Sequence, residues 1–265
     1  MRHESLHLGD GVVRMNMRLA LVAATVLSSA SLPAQGAAEH VVLGDRDRVA
    51  LNAAGALRHY QAAIAADANN AEALWRASRE AIDLGEFDDA KRDSLYQLGE
   101  LYARRAVQAD PKSSMTHFAL AKAIGRRALS LGAKERVKYA GEVRKEALES
   151  LKLDSTNAGA LHVMGRWHAN IMRLSGIQRF MAKNVLGGKT FGEANWKDAV
   201  AFLERASALE PERIVHRLEL ASVYADSGNK AKAREQYQAL MQLKPVDYND
   251  KHYLEQADRE LKELR

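Results

Sequence analysis

A helical run that ends in a polar corner recurs five times along the chain, and this repetition constrains the fold more than any other feature. The last residues of the corners are Ala68, Pro111, Ser155, Pro211 and Pro245, so successive corners lie 43, 44, 56 and 34 residues apart. Three of the four prolines of the chain occupy this place. Because proline cannot continue a helix but is tolerated in its first turn, the pattern indicates helix-to-helix corners.

The last unit has the 34-residue length of a tetratricopeptide repeat (TPR). With Ile214 as position 1, Ala221 and Ala233 supply small residues at positions 8 and 20, where two helices approach closely, and Gly228 and Asn229 form the turn. The same frame places unit starts at Ala71, Ser114 and Ala158, a partial unit at Arg46–Ala66 and a closing helix at Tyr248–Leu264. We therefore predict an all-α, TPR-like α-solenoid of about four elongated helix pairs, with a leading helix and a C-terminal capping helix.

The N-terminus has the pattern of a targeting signal rather than of a repeat. An apolar run, Leu19–Leu27, follows Arg14 and Arg18 and precedes small residues with a helix-breaking proline, as in secretory signal peptides. Nine residues are far fewer than the ~20 that span a bilayer. We predict a signal peptide at 1–37, a repeat domain at 38–265, and export to the periplasm or secretion.

Two details of this segment stay open. Acidic residues near the start are unusual for a signal, so translation beginning at Met15 or Met17 is an alternative. Cleavage after Ala34, Gly36 or Ala37 fits the small residues. A buried core helix or a mitochondrial presequence is the competing interpretation, and the protein would then be intracellular.

The third unit carries extra residues between about 167 and 192. Apolar residues within 177–186 have helical spacing, and Arg179 and Lys183 lie on another face. A basic amphipathic helix can lie on an anionic membrane surface or bind a partner, so these two cations and Phe180 are candidate contacts. The alternative, which we favour, is that the apolar residues pack on the adjacent repeat.

The positive charge of the chain is concentrated in its middle. Lys and Arg exceed Asp and Glu by 14 to 5 in residues 114–192, whereas the net charge is +1 in 1–37, −3 in 38–113 and −2 in 193–265. No acidic residue occurs from Ser155 to Gly192. A basic region of this kind favours an anionic partner.

Repeat positions place part of this charge on one surface. In TPRs the first helix of each unit lines a concave groove, mainly through positions 2, 5, 9, 12 and 13. Cations and mainly aromatic residues alternate there, which suits an acidic peptide or a lipid headgroup with its chain. The predicted groove residues are Trp75, Phe118 and His162 at position 5, Arg79, Lys122 and Arg166 at position 9, and Arg126 and Asn170 at position 13.

Two other interpretations of these residues remain open. The basic side chains can simply solvate an exposed helix face while their stems pack. Trp75 and Phe118 can belong to the core between repeats.

The sequence lacks the residue patterns that are typical of catalytic, metal-binding and phosphate-binding sites. The chain has no cysteine, which excludes a disulfide framework, a thiolate metal site and a cysteine nucleophile. Gly187–Thr190 follows a helical segment rather than a strand, unlike a phosphate-binding loop. His162 and His168 are six residues apart, on different sides of a helix. We predict no enzymatic activity, no cofactor and no metal, and no nucleic-acid partner, because no recognition module accompanies the basic region.

Several stretches together resemble the regulator of microtubule dynamics family, a branch of TPR proteins. The matching segments are 74–79, 162–167, 178–183 and 204–211, and the resemblance runs from about residue 70 to 260. It implies an all-helical, non-enzymatic repeat domain associated with microtubules or organelle membranes. The matched residues are mostly packing residues, so no functional residue is transferred by them.

From the sequence we therefore expect an exported scaffold that binds a protein or peptide partner, anionic or amphipathic, in its groove, with a membrane surface as a further candidate. A cytoplasmic microtubule-associated regulator is the alternative, because tubulin is out of reach of an exported protein.

Overall fold

The computed structural model describes residues 32–264. The apolar run Leu19–Leu27 of the predicted signal peptide lies outside the described residues. Within the described part the chain forms twelve α-helices and two short 3-10 segments, and no strand. The helices are α1 Leu32–Val49, α2 Ala53–Ala66, α3 Ala71–Gly85, α4 Arg92–Ala109, α5 Ser114–Arg127, α6 Ala133–Leu153, α7 Ala158–Met172, α8 Gly176–Asn184, α9 Trp196–Leu209, α10 Ile214–Asp226, α11 Lys230–Leu240 and α12 Asp250–Glu263.

The helices pack as antiparallel pairs of a solenoid: α1 with α2, α3 with α4, α5 with α6, α7 with α9 and α10 with α11. In the chain, α8 lies between the two helices of the fourth pair, and α12 packs on the last pair. This arrangement confirms the all-α solenoid. The leading helix of the prediction, α2, is itself paired, because α1 precedes it and packs along it. The extra residues of the third unit form α8 and a 3-10 segment, Lys189–Glu193, between the two helices of that unit.

The repeat frame locates the helix starts well. The predicted starts Ala71, Ser114, Ala158 and Ile214 are the first residues of α3, α5, α7 and α10. Asparagine side chains cap two of these helices: Asn70 accepts from the amide of Ala73, and Asn157 accepts from that of Ala160, both at 2.9 Å. The starts were predictable because such capping is encoded locally in the sequence.

Small residues bring the helices of a pair close together. A Cβ built on Gly165 of α7 would lie 2.5 Å from Cγ of Leu203 on α9, so glycine is required at this crossing. Ala221 and Ala233, at the predicted small positions, are fully buried. Gly228 has a φ of +88° in the turn between α10 and α11, a conformation that glycine adopts without strain.

The C-terminal end of the solenoid returns to its N-terminal helices. Asn249 donates its side-chain N–H to the carbonyl oxygen of Asp83 at 2.9 Å, and the hydroxyl of Tyr253 donates to Glu86 Oε2 at 2.9 Å. His252 stacks on Phe87, with ring centroids 4.4 Å apart. We call residues 244–253 the closing segment. It connects sequence positions more than 160 residues apart and partly covers the concave side.

No helix in the described range 32–264 is both long enough and apolar enough to cross a bilayer.

Candidate functional site

A cavity of about 830 Å³ lies where the first helices of successive units face one another. α3, α5, α7 and α10 line it together with α6, α8 and the closing segment. Its volume falls within the range of roughly 300–1,000 Å³ that small-molecule sites occupy.

The charged lining of the cavity comes from α1, α3, α5, α6, α7, the residues just before α10 and the closing segment. Arg48, at the end of α1, lies 2.9 Å from Glu80 and 3.0 Å from Asp247. Arg213, just before α10, lies 2.6 Å from the same Asp247. The charged residues that line the cavity are Arg48, Arg79, Asp83, Lys122, Arg126, Arg136, Arg166, Glu210, Arg213 and Asp247.

Most of the apolar lining of the cavity comes from α5, α6, α7 and α8. Trp167 belongs to it and donates its indole N–H to the carbonyl oxygen of Ala140 at 2.8 Å. Phe118 packs its ring over Gly159, where a Cβ would lie 2.4 Å from the ring. The main apolar lining residues are Phe118, Val137, Val143, Trp167, Ile171, Leu174, Met181, Leu186 and Phe191.

Seven of the eight predicted groove residues line this one cavity: Arg79, Phe118, Lys122, Arg126, His162, Arg166 and Asn170. Trp75 does not. It is only 7% exposed and packs in the core formed with α1 and α2, where the guanidinium of Arg76 lies over its ring. The prediction therefore misplaced Trp75, because the unit before α3 is a full helix pair that covers this face. That the other seven bind a partner stays a prediction.

The groove cations are paired with acidic residues and are not free charges. The acid lies next in sequence in one pair and on another helix or at its end in the other three, so the concave side is a network rather than a basic strip. The pairs are Arg79 with Glu80 at 2.8 Å, Lys122 with Asp83 at 2.6 Å, Arg126 with Glu86 at 2.6 Å, and Arg166 with Glu219 at 3.2 Å.

Sequence reasoning missed these acids although a signal was present. Asp83 occupies position 13 of its unit, the same repeat position as Arg126 and Asn170. Glu80 lies three residues before it on α3, and Glu86 lies three residues after it, just beyond the end of that helix. No sequence pattern indicates that Arg48 and Asp247 form an ion pair, because 199 residues separate them.

Arginines hold the pKa of two carboxylates of the network below its ordinary value, whereas burial raises the pKa of a third, Glu80. Burial by itself raises the pKa of Glu219, but the guanidiniums of Arg166 and Arg173 outweigh burial and hold it below its ordinary value. The same holds for Asp247. Burial raises its pKa, but the charges of Arg213 and Arg48 together have the larger effect and lower the pKa to about 2.

Two histidines pack between α7 and α10 at the edge of the cavity. Nε2 of His216 lies 3.0 Å from Glu210 Oε2, and its Nδ1 lies 3.1 Å from Nδ1 of His162. Since a carboxylate only accepts, Nε2 of His216 donates to Glu210. Burial lowers the pKa of His162 well below its usual value, and His216 and nearby cations act in the same direction.

Two buried polar atoms among the lining residues lack a hydrogen-bond partner within residues 32–264: Nη2 of Arg79, a donor, and Oδ1 of Asn249, an acceptor. Buried polar groups are usually paired, with protein, water or a ligand. Across the same residues no group of three or more His, Asp or Glu side chains is arranged to hold a metal ion.

The predicted amphipathic helix is α8. Its Ala182 is buried, whereas Phe180 is 62% exposed, so the packing of Phe180 on the adjacent repeat that we favoured does not occur. Arg179 turns back to donate to the carbonyl oxygen of Leu174 at 3.3 Å, and Lys183 is exposed. Of the three candidate contacts, Phe180 and Lys183 are therefore available at the surface.

Comparison with known proteins agrees with this architecture. The family profile described as regulator of microtubule dynamics protein 1-3 matches residues 44–265. The chain belongs to this family. Among curated members, regulator of microtubule dynamics protein 1 of Bos taurus is 26% identical over 149 residues, which are 55% of this chain and 46% of the relative. The Mus musculus protein is 23% identical over 149 residues, 55% of this chain and 48% of the relative. This family member thus aligns with about half the length of these relatives.

Solved structures show the same fold. A thermophilic TPR protein of Thermus thermophilus superposes with a TM-score of 0.58 at 19% identity, covering 84% of this chain and 99% of that one. PilF of Pseudomonas aeruginosa superposes with a TM-score of 0.51 at 13% identity, covering 88% and 93%. At these identities the likeness concerns the fold alone.

Proposed function

We propose that this family member is a non-enzymatic repeat scaffold whose cavity binds an amphipathic anion. The observation that carries the proposal is that one cavity of about 830 Å³ is lined both by charged side chains and by a set of large apolar ones. A ligand with an apolar chain and a small anionic group matches both kinds of lining. An acidic peptide would match the charged lining alone.

The ion-pair network supports a small anionic group rather than an extended polyanion. The groove cations already have carboxylate partners, so a long run of acidic side chains would meet Asp83, Glu210 and Asp247 as well. A single anionic group would instead need only one of these cations, for example Arg79, whose Nη2 has no hydrogen-bond partner among residues 32–264. A protein or peptide that inserts one such group is the nearest alternative.

Substitution of Lys122 by methionine tests the charged lining of the cavity. It does not leave Asp83 without a cation, because Arg48 lies 3.7 Å from this carboxylate. We expect about a tenfold or greater loss of affinity for a fluorescent fatty acid, since a charge-assisted hydrogen bond contributes about 1.5–3 kcal/mol. Val163→Trp, which fills the cavity from a half-buried position on α7, should reduce binding further.

Fluorescence titration of wild type and both variants measures the effect, and a glutamate-rich peptide serves as the second probe. Unchanged fatty-acid affinity in Val163→Trp would exclude the cavity as the binding site. Tight peptide binding that Lys122→Met abolishes, with no fatty-acid binding, would assign the groove to a peptide instead.

Where the protein acts is a separate proposal. We infer export from the apolar run at Leu19–Leu27 and its basic flank. Ala37 is fully buried in the core with α2, so cleavage after Ala34 would preserve this contact. N-terminal sequencing of the mature protein should then begin at Gln35, whereas a chain that keeps its first residues contradicts export.

The second candidate function is the microtubule regulation in the family's name. Family membership favours it, and it requires the protein to stay in a compartment that contains tubulin. Co-sedimentation of the purified chain with polymerised tubulin tests it directly.

A further inference from the structure

α8 is held to the protein by one side and presents the other side to solvent. Ala182 is buried in the central core, and the amide of Gly188 donates to its carbonyl oxygen at 2.9 Å. Ser175 and Gln178 form a capping box that starts the helix. The helix is therefore a defined element and not a frayed loop, although few of its side chains are buried.

The outward side is strongly apolar. Four large side chains within nine positions are exposed: Ile177 by 80%, Phe180 by 62%, Met181 by 43% and Val185 by 60%. Soluble proteins rarely leave such a contiguous patch in water, and patches of this kind mark contact surfaces. Ile177 and Met181 also line the cavity, so the patch borders its mouth.

The charged residues of α8 and of the segment that follows it, up to Gly192, have one sign. Lys183 and Lys189 are exposed, and no ion pair with another described residue engages either of them. No acidic residue occurs from Ser155 to Gly192, and the next one, Glu193, is ion-paired with Arg144. Exposed apolar residues flanked by unopposed lysines are the combination that binds anionic bilayer surfaces.

We propose that α8 docks this protein onto an anionic lipid surface, with Ile177, Phe180, Met181 and Val185 entering the headgroup region and Lys183 and Lys189 contacting lipid phosphates. A second copy of the chain fits less well, because the lysines of two such patches would repel each other. The patch shares Ile177 and Met181 with the lining of the cavity, whereas Phe180, Val185 and the two lysines belong to the patch alone.

The absence of cysteine in the chain allows a local test. Phe180→Cys in the full chain supplies one thiol for a nitrobenzoxadiazole label, and Leu101→Cys on α4, where the native side chain is 54% exposed, is the matched control. Addition of phosphatidylcholine vesicles containing phosphatidylserine should shift the emission of the label at 180 to shorter wavelength and raise it severalfold. Vesicles of phosphatidylcholine alone should give little response, and the label at 101 none.

Charge reversal completes the test. Lys183→Glu combined with Lys189→Glu should weaken the response at 180 at least about tenfold, since each lysine near an anionic surface contributes about 1 kcal/mol. Lys122→Met should leave it intact, which separates this surface from the cavity. Val185→Cys is a second label site if labelling at 180 lowers the melting temperature.

No response to anionic vesicles at 180 and 185, or an equal response at 101, would overturn the proposal. A spectral shift that grows with protein concentration without vesicles would also overturn it, in favour of pairing between copies. Binding through the N-terminal apolar run alone would leave both α8 labels unchanged.

Discussion

At the residue scale, glycine at a helix crossing decides how closely a repeat packs. The Cβ of Gly165→Ala would meet Cγ of buried Leu203 and lie 3.1 Å from the carbonyl oxygen of Ala199. Neither neighbour is the flexible end of a side chain. Alanine has a higher helix propensity than glycine, but the strain that it introduces into the α7–α9 contact outweighs this gain.

We expect Gly165→Ala to lower the free energy of unfolding by about 1–3 kcal/mol, the usual result of overpacking. Gly141→Ala is the matched control, because Gly141 lies inside α6 and its Cβ would meet nothing within 4 Å. That variant should gain up to about 1 kcal/mol. Urea denaturation measures both, and equal effects in the two variants would contradict the close α7–α9 crossing.

Buried His162 makes stability depend on pH. Folding keeps His162 neutral by lowering its pKa, so the unfolded chain takes up a proton near pH 6.5 that the folded chain does not. Stability is therefore complete above about pH 6.5 and decreases as the pH falls toward the lower folded pKa. The pKa of His168 is also lowered by burial and adds a smaller contribution of the same sign.

His162→Gln should flatten this decrease between about pH 6.5 and 5, by as much as about 1.4 kcal/mol per pH unit at the steepest point. His252→Gln, at a half-exposed side chain, should keep the wild-type slope. Thermal unfolding followed by circular dichroism across this range compares them. A variant that retains the full slope would show that His162 is not the group that titrates.

At the scale of elements, the closing segment decides whether the concave side is open or covered. Asp247 joins Arg48 of the first helix pair to Arg213 of the last one. Asp250 holds the segment in shape by accepting the amides of Val246 and Asp247, at 2.8 and 2.7 Å. The segment therefore couples the two ends of the solenoid, which in an open repeat array would touch only their neighbours.

Asp247→Asn removes this shared counter-charge, although Arg48 retains Glu80. We expect a loss of about 1–2 kcal/mol and faster amide exchange in α12. Asp258→Asn breaks the exposed pair with Lys262 in the same helix and should change stability by less than about 0.5 kcal/mol. If α12 exchanges at the wild-type rate in Asp247→Asn, the segment is not held by this ion pair.

At the scale of the whole molecule, the uneven charge of the sequence is largely matched internally. The basic middle, 114–192, and its acidic flanks pair across unit boundaries, as in Lys122 with Asp83 and Arg173 with Glu219 and Asp226. The charge excess that survives at the surface is therefore smaller and more local than the composition indicates. α8, with Lys183 and Lys189, is one place where it persists.

Local patterns suffice to predict the repeat, the helix starts and the inserted helix, because small crossing residues and 3.6-residue periodicity act within one or two turns of their own position. Seven of the eight predicted groove residues line one cavity, since equivalent positions of stacked units share a face. The covering of Trp75, the pairing of the groove cations and the closing of the groove by the C-terminal segment are visible only in the folded structure. These features depend on contacts between distant positions, such as Arg48 with Asp247, and no local pattern encodes which carboxylate a given arginine will meet.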